Sequence, residues 1–116
     1  MFEKLSHIMM WTTDFDRALA WYQEKLGCKV NFAHAPHYAS LQLEEAGLRI
    51  DLHPTNTDGK DVGFGPIPYF AVKDIDAVTK ALAEKGIKVG DITEDGGYRF
   101  ATFWDSEGNA LGLQQV

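Results

Sequence analysis

At 116 residues and a formal net charge of −6, the chain has the size of one domain and carries no basic face. Its 11 Lys and Arg are scattered among 17 Asp and Glu, which excludes the phosphate-neutralising surface that nucleic-acid binding needs. A lone cysteine, Cys28, excludes an internal disulfide, and no window has the apolar length to span a membrane, so a cytoplasmic location is expected.

In chain order, His7 to Thr12 is an almost unbroken apolar run. One parity holds His7, Met9 and Trp11, and the other Ile8, Met10 and Thr12. A strand apolar on both parities has both faces covered. A helix is predicted from Asp14, a good N-cap, to Gly27, a good C′ residue, with Phe15, Ala18, Leu19, Tyr22 and Leu26 as its buried stripe. Trp21 lies outside that stripe and reads as a dimer contact or partial surface. Cys28, Val30 and Phe32 alternate with Lys29 and Asn31 as a second strand, which makes Cys28 a small core residue rather than a nucleophile. Tyr38 to Glu44 alternates as a third strand. Leu48 to His53 is a fourth, with Leu48, Ile50 and Leu52 on one face and Arg49, Asp51 and His53 on the other.

Residues 55–65, rich in Thr, Asn, Asp and Gly, read as a linker. Beyond them Tyr69 to Val72 is a strand, and Asp74 to Lys85 a helix with Ile75, Val78, Ala81 and Leu82 inward. Ile87 and Val89 mark a short strand and Thr93 to Gly97 a turn. Tyr98 to Trp104 and Ala110 to Gln115 are strands joined by the turn Asp105–Asn109.

The second half repeats the first. Asp14 and Asp16 recur sixty residues later as Asp74 and Asp76, each opening a helix, and the helix exits Leu26-Gly27 and Lys85-Gly86 correspond. A constant offset of half the chain is a duplicated unit. The fold class is therefore α+β, with one domain of two paired βαβββ modules, 1–54 and 66–116. Neither is large enough to hold a core alone, so they must pair, in an expected homodimer.

His7-Ile-Met-Met-Trp-Thr-Thr-Asp14, Ala18-Leu-Ala-Trp-Tyr22, Leu26-Gly27 and Phe103-Trp-Asp-Ser-Glu-Gly-Asn109 together resemble the opening strand, first helix, helix exit and closing turn of the vicinal oxygen chelate superfamily. That superfamily holds glyoxalase I, extradiol dioxygenases, and fosfomycin- and bleomycin-resistance proteins. The resemblance implies two curled sheets with helices outside and a concave cavity, often completed by a dimer. It also implies four inward positions that bind a divalent cation in the metal-dependent members. Carried onto this chain, those positions are His7, Asp51, Ile67 and Gly112. Only His7 and Asp51 offer donors, with His53, Glu94 or a partner residue in reserve. No metal cofactor is expected, the alternative being a cation such as Zn, Ni, Fe or Mn on His7 and Asp51.

If His7 and Asp51 mark the inner face, its lining includes Met9, Trp11, Arg49, His53, Tyr69, Ala71 and Gln114, with Trp104 at the rim. The bland alternative is that Met9 and Trp11 merely pack on the other module or on a second subunit. Three functional readings follow. One is a metal-free binding protein that sequesters an aromatic or cationic small molecule, with Asp51 facing a positive charge and Gly112 and Ala71 leaving room. The second is a divergent metal-dependent lyase, isomerase or dioxygenase using His7, Asp51 and His53. The third is a metal-free acid–base enzyme using Asp51 or His53.

Overall fold

The computed structural model describes all 116 residues. The first half runs β1 (Ile8–Thr12), α1 (Phe15–Leu26), β2 (Lys29–His34), β3 (Tyr38–Leu43), a 3₁₀ turn at Glu44–Ala46, and β4 (Leu48–Pro54). The second runs β5 (Tyr69–Val72), α2 (Ile75–Glu84), β6 (Thr93–Asp95), β7 (Tyr98–Trp104) and β8 (Ala110–Gln115). Each half makes its own four-stranded sheet, ordered β1-β4-β3-β2 and β5-β8-β7-β6. β1 lies parallel to β4 and β5 parallel to β8, while the remaining pairs are antiparallel. The βαβββ repeat is therefore real.

Both helices start as their sequence dictates. The Asp14 carboxylate accepts from the Arg17 amide at 3.1 Å and the Asp74 carboxylate from Ala77 at 3.1 Å, satisfying amides that the helix itself leaves unpaired. Gly27 closes α1 in the left-handed conformation, at φ 71°, which costs a glycine little. Phe15, Ala18 and Tyr22 of α1 are buried against Met10, Ala39, Leu41, Ile50 and Leu52 of the first sheet, with Cys28 among them. Burial lifts the Cys28 thiol to about 11, as suits an unreactive core residue. Ile75 and Ile87 join Ala101, Phe103, Leu111 and Leu113 in the second core.

Trp21 and Leu26, both partly buried, pack on both cores and so join the modules. Polar connections between the halves come from Lys25 and Lys85, each of which donates to the other's main-chain carbonyl, and from the closing turn. Asp105 accepts from the buried Tyr22 hydroxyl at 2.7 Å, and the Asn109 amide donates to the Trp11 carbonyl at 2.9 Å. Glu107, its side chain fully buried, accepts from the Thr13 amide and hydroxyl, the Asp14 amide, Arg17 Nε and the Ser106 hydroxyl, at 2.7–2.9 Å. Because the helix-side faces of both sheets meet at α1, their other faces look away from it. A Cα radius of gyration of 14.5 Å, against about 13 Å for a compact chain of this length, fits the two-lobed shape.

Three expectations need correction. The second-module strand before β7 is Thr93–Asp95 rather than Ile87–Val89. Ile87 enters the core, and Val89 makes only a single bridge to Phe103. Ala81 is exposed, because α2 rests on its sheet mainly through Ile75, Val78 and Leu82. Phe32 does not share the core with Cys28: a register shift between Val30 and Phe32 turns it onto the opposite face.

Candidate functional site

Register places the site on the open face of the first sheet. Met9 lies opposite Asp51 and Trp11 opposite His53 across the parallel β1–β4 pair, while Ser40 lies opposite Asp51 across β3–β4. The side-chain period of two then puts Met9, Trp11, Ser40, Asp51 and His53 on one face, with Arg49 two residues before Asp51.

At the centre is Asp51, with no solvent exposure. Arg49 grips it with a fork, Nε to Oδ1 and Nη2 to Oδ2, both at 2.8 Å. The Tyr38 hydroxyl donates a short hydrogen bond to Oδ2 from the next strand. His7 Nε2 stands 3.7 Å from the same oxygen. Burial alone would raise the Asp51 carboxyl, but the hydrogen bonds from Arg49, Tyr38 and Ser40 outweigh it and hold Asp51 below its ordinary value. Burial first, and then the bond to Asp51, lift the Tyr38 hydroxyl. The carboxylate is ionised and fully engaged.

Around this ion pair stands an aromatic wall. Trp11 meets His53 edge-on with centroids 5.4 Å apart, and Tyr38 meets His53 edge-on at 6.1 Å. Phe32 stacks on Tyr38 at 6.1 Å and 14°, and the Arg49 guanidinium lies 5.8 Å from the Phe32 centroid. His53 Nδ1 lies 2.7 Å from the Pro54 carbonyl oxygen. A carbonyl can only accept, so Nδ1 is the donor in this contact.

Sequence reasoning named His7, Met9, Trp11, Arg49, Asp51 and His53, and the structure gathers these six on one sheet. Tyr69, Gln114 and Trp104 belong to the second sheet, where Tyr69 pairs in register with Gly112 and Ala71 with Gln114. Trp104 packs over Gly90 with the Lys88 ammonium 5.0 Å from its ring. No strand pairing joins the two sheets within the chain. Tyr38, Ser40 and Phe32 were missed. The parity of the β3–β4 hairpin with Asp51 was enough to find Tyr38 and Ser40, whereas the bulge concealed Phe32.

Residues 4–113 match the Glyoxalase/Bleomycin resistance protein/Dioxygenase superfamily. The chain belongs to that superfamily. A glyoxalase/bleomycin resistance protein from Catenulispora acidiphila superposes at TM-score 0.72 and 26% identity, over 98% of this chain and 99% of that one. UcmS2 superposes at TM-score 0.80 and 22% identity, over 98% of both chains. The fosfomycin resistance protein FosX from Listeria monocytogenes, in complex with Mn(II) and 1S,2S-dihydroxypropylphosphonic acid, superposes at TM-score 0.77 and 17% identity, over 98% of this chain and 90% of that one. The last two likenesses show the shared fold. No curated protein matches the chain in sequence.

The residues of this superfamily member do not fit the divalent cation of its metal-dependent relatives. Ile67 and Gly112 carry no donor. A Cβ added at Gly112 would fall 2.4 Å from the Tyr69 ring, so that ring fills the space a longer side chain would need. Both Asp51 oxygens are held by Arg49, whose charge opposes a cation at the same place. Glu94, a reserve donor, pairs with Arg99 at 2.9 Å, and Arg99 also holds Asp76 of α2. No three His, Cys, Asp or Glu side chains of the chain come together as a ligand set. Two sequence expectations fall with this geometry. Asp51 is not free to face a ligand cation, and Gly112 leaves no vacancy.

Proposed function

We propose that this superfamily member binds an aromatic small molecule on the open face of its first sheet, without a resident metal and without chemical conversion. The observation that carries the reading is the contrast between a satisfied polar centre and an unsatisfied apolar rim. Asp51 is buried and fully bonded, while Met9 and Phe32 on the same face remain 39% and 43% exposed. Apolar surface left in water around a rigid polar anchor is what a small-molecule site needs. Trp11, Phe32 and Tyr38 supply ring faces, and His53 Nε2 and the remaining Arg49 N–H groups supply polar handles.

The reading includes a second copy of the chain. Tyr69 on the second sheet and Ile67 just before it are likewise 48% and 45% exposed. Pairing the first sheet of one copy with the second sheet of the other covers both faces and closes a cavity at once, twice per dimer. The monomer, with its two sheets turned away from each other, leaves the site half built.

The test is a thermal-shift and tryptophan-fluorescence screen of aromatic carboxylates, phenols and aromatic cations, repeated on Trp11→Ala and Tyr38→Phe. Neutral or acidic aromatics are expected to bind, and both substitutions are expected to weaken them. Hits that ignore both substitutions place the site elsewhere. About one tightly held metal per chain, lost on His7→Ala, reverses the metal-free reading.

A further inference from the structure

The two modules are locked together at one end and gaping at the other. Strand registers align Ala39 and Leu41 with Ala101 and Phe103, and Ile50 and Leu52 with Leu111 and Leu113. The turn ends therefore correspond as Leu43 with Asp105 and Leu48 with Asn109, and on the helices Tyr22 corresponds to Leu82. Where the second module reaches across with Asp105 to Tyr22, the first module offers Leu43 towards Leu82. No polar clamp can form between two leucines. In its place lies an open groove of about 700 Å³ between the β3–β4 turn on one side and β5 and α2 on the other.

The groove has a chemical gradient. Leu43, Leu48, Phe70, Val78 and Leu82 line it with hydrocarbon. Lys25, in the last turn of α1, and Lys85, at the C-cap of α2, line it as well, and each donates to the other's main-chain carbonyl, at 2.6 and 3.2 Å. One bond apiece leaves each ammonium with two further donors. Neither lysine takes part in an ion pair. Glu45, on the turn between β3 and β4, contributes a carboxylate to the same lining.

We infer that this groove is a second binding site, for a small amphiphile with an apolar body and an anionic head. Its body lies along the leucines and its head sits between the Lys25 and Lys85 ammonium groups, which bind a carboxylate as charge-assisted donors. A volume of this size takes a drug-sized molecule or a medium-length chain. The groove is separate from the first-sheet cluster, because Trp11, Tyr38 and Asp51 line no part of it, although Tyr69 of the second sheet does.

The experiment is titration calorimetry with dodecanoate, kept below its micelle concentration, and with dodecylammonium as the cationic control. Dodecanoate is expected to bind saturably, once per chain, and dodecylammonium much more weakly. Lys25→Gln combined with Lys85→Gln is expected to weaken dodecanoate by roughly tenfold or more. Ala46→Trp, an exposed rim position, is expected to block it while leaving the circular dichroism spectrum unchanged. Trp11→Ala is expected to leave dodecanoate affinity unaltered. Absence of saturable binding overturns the inference, and so does binding that survives Ala46→Trp or falls with Trp11→Ala. A change in dimerisation on Ala46→Trp, with no dodecanoate bound to the unsubstituted protein, assigns the groove to a second copy and overturns it equally.

Discussion

The Tyr22 hydroxyl donates to the Asp105 carboxylate at 2.7 Å, inside a contact between residues that lie 83 positions apart in the chain. Burial, and then the neighbouring Asp105 charge, push the Tyr22 hydroxyl well above its ordinary pKa, so it remains a donor at any pH the fold survives. Removing that donor strands part of a buried carboxylate. Tyr22→Phe is expected to cost about 1–3 kcal/mol in urea unfolding, with little change in far-ultraviolet circular dichroism. A loss below a few tenths of a kcal/mol would mean that this bond adds little to the junction made by Glu107, Asn109, Trp21 and Leu26.

Acid should release the same junction through Glu107. Burial opposes its ionisation, but Arg17, the Asp14 amide, Ser106 and Thr13 prevail and draw its pKa from 4.5 to about 2. A folded pKa below the unfolded one contributes stability that is complete above the unfolded value and is lost as pH falls through the folded one. The fold is therefore expected to weaken between about pH 4.5 and pH 2, by on the order of 2–3 kcal/mol from this group. Glu107→Gln should be less stable at pH 7 and lose less stability across that window, keeping only the share of Asp51 and the other depressed carboxylates. Parallel pH profiles for the two proteins would refute the assignment.

The Arg49–Asp51 pair predicts an asymmetric cycle. Arg49→Leu leaves a buried carboxylate without its main partner and is expected to destabilise by on the order of 3 kcal/mol and to raise the Asp51 pKa. Arg49→Leu with Asp51→Leu removes both charges and should recover a good part of the loss. Chemical denaturation of the three variants decides it, and a double variant worse than the sum of the single ones would show that the charges support more than each other.

A steric prediction concerns Gly112. The Tyr69 ring lies where an alanine methyl would stand, so Gly112→Ala is expected to cost about 1–3 kcal/mol or to displace the ring. Adding Tyr69→Ala should relieve the clash, making Gly112→Ala nearly neutral in that background. Thermal unfolding of the two pairs measures the difference.

The repeat, the helix caps Asp14, Asp74 and Gly27, and most core positions were legible because each rests on local chemistry or on periodicity. The β1–β4 face of the site was legible for the same reason: parity alone groups Met9 and Trp11 with Asp51 and His53. What the sequence hid depends on register and reach. A single extra residue in β2 reversed Phe32, and nothing local announces where a bulge falls. The fork from Arg49 onto Asp51 was open to inspection, since residues two apart on a strand share a face. Its consequence, a carboxylate already neutralised, needed the rotamers. Glu107 stood in the sequence as one residue of the turn Asp105–Asn109, and only tertiary packing made it a buried hub.

That hub also settles which half can recognise which. Glu107 is met by Thr13, Asp14 and Arg17, whereas the matching positions of the other repeat are Lys73, Asp74 and Ala77, which cannot supply the same hydroxyl and guanidinium. A duplicated unit begins as two copies that would associate equally well with themselves. Here the plug sits on one copy and the socket on the other, so the Glu107 contact forms between unlike halves and is not available between like ones.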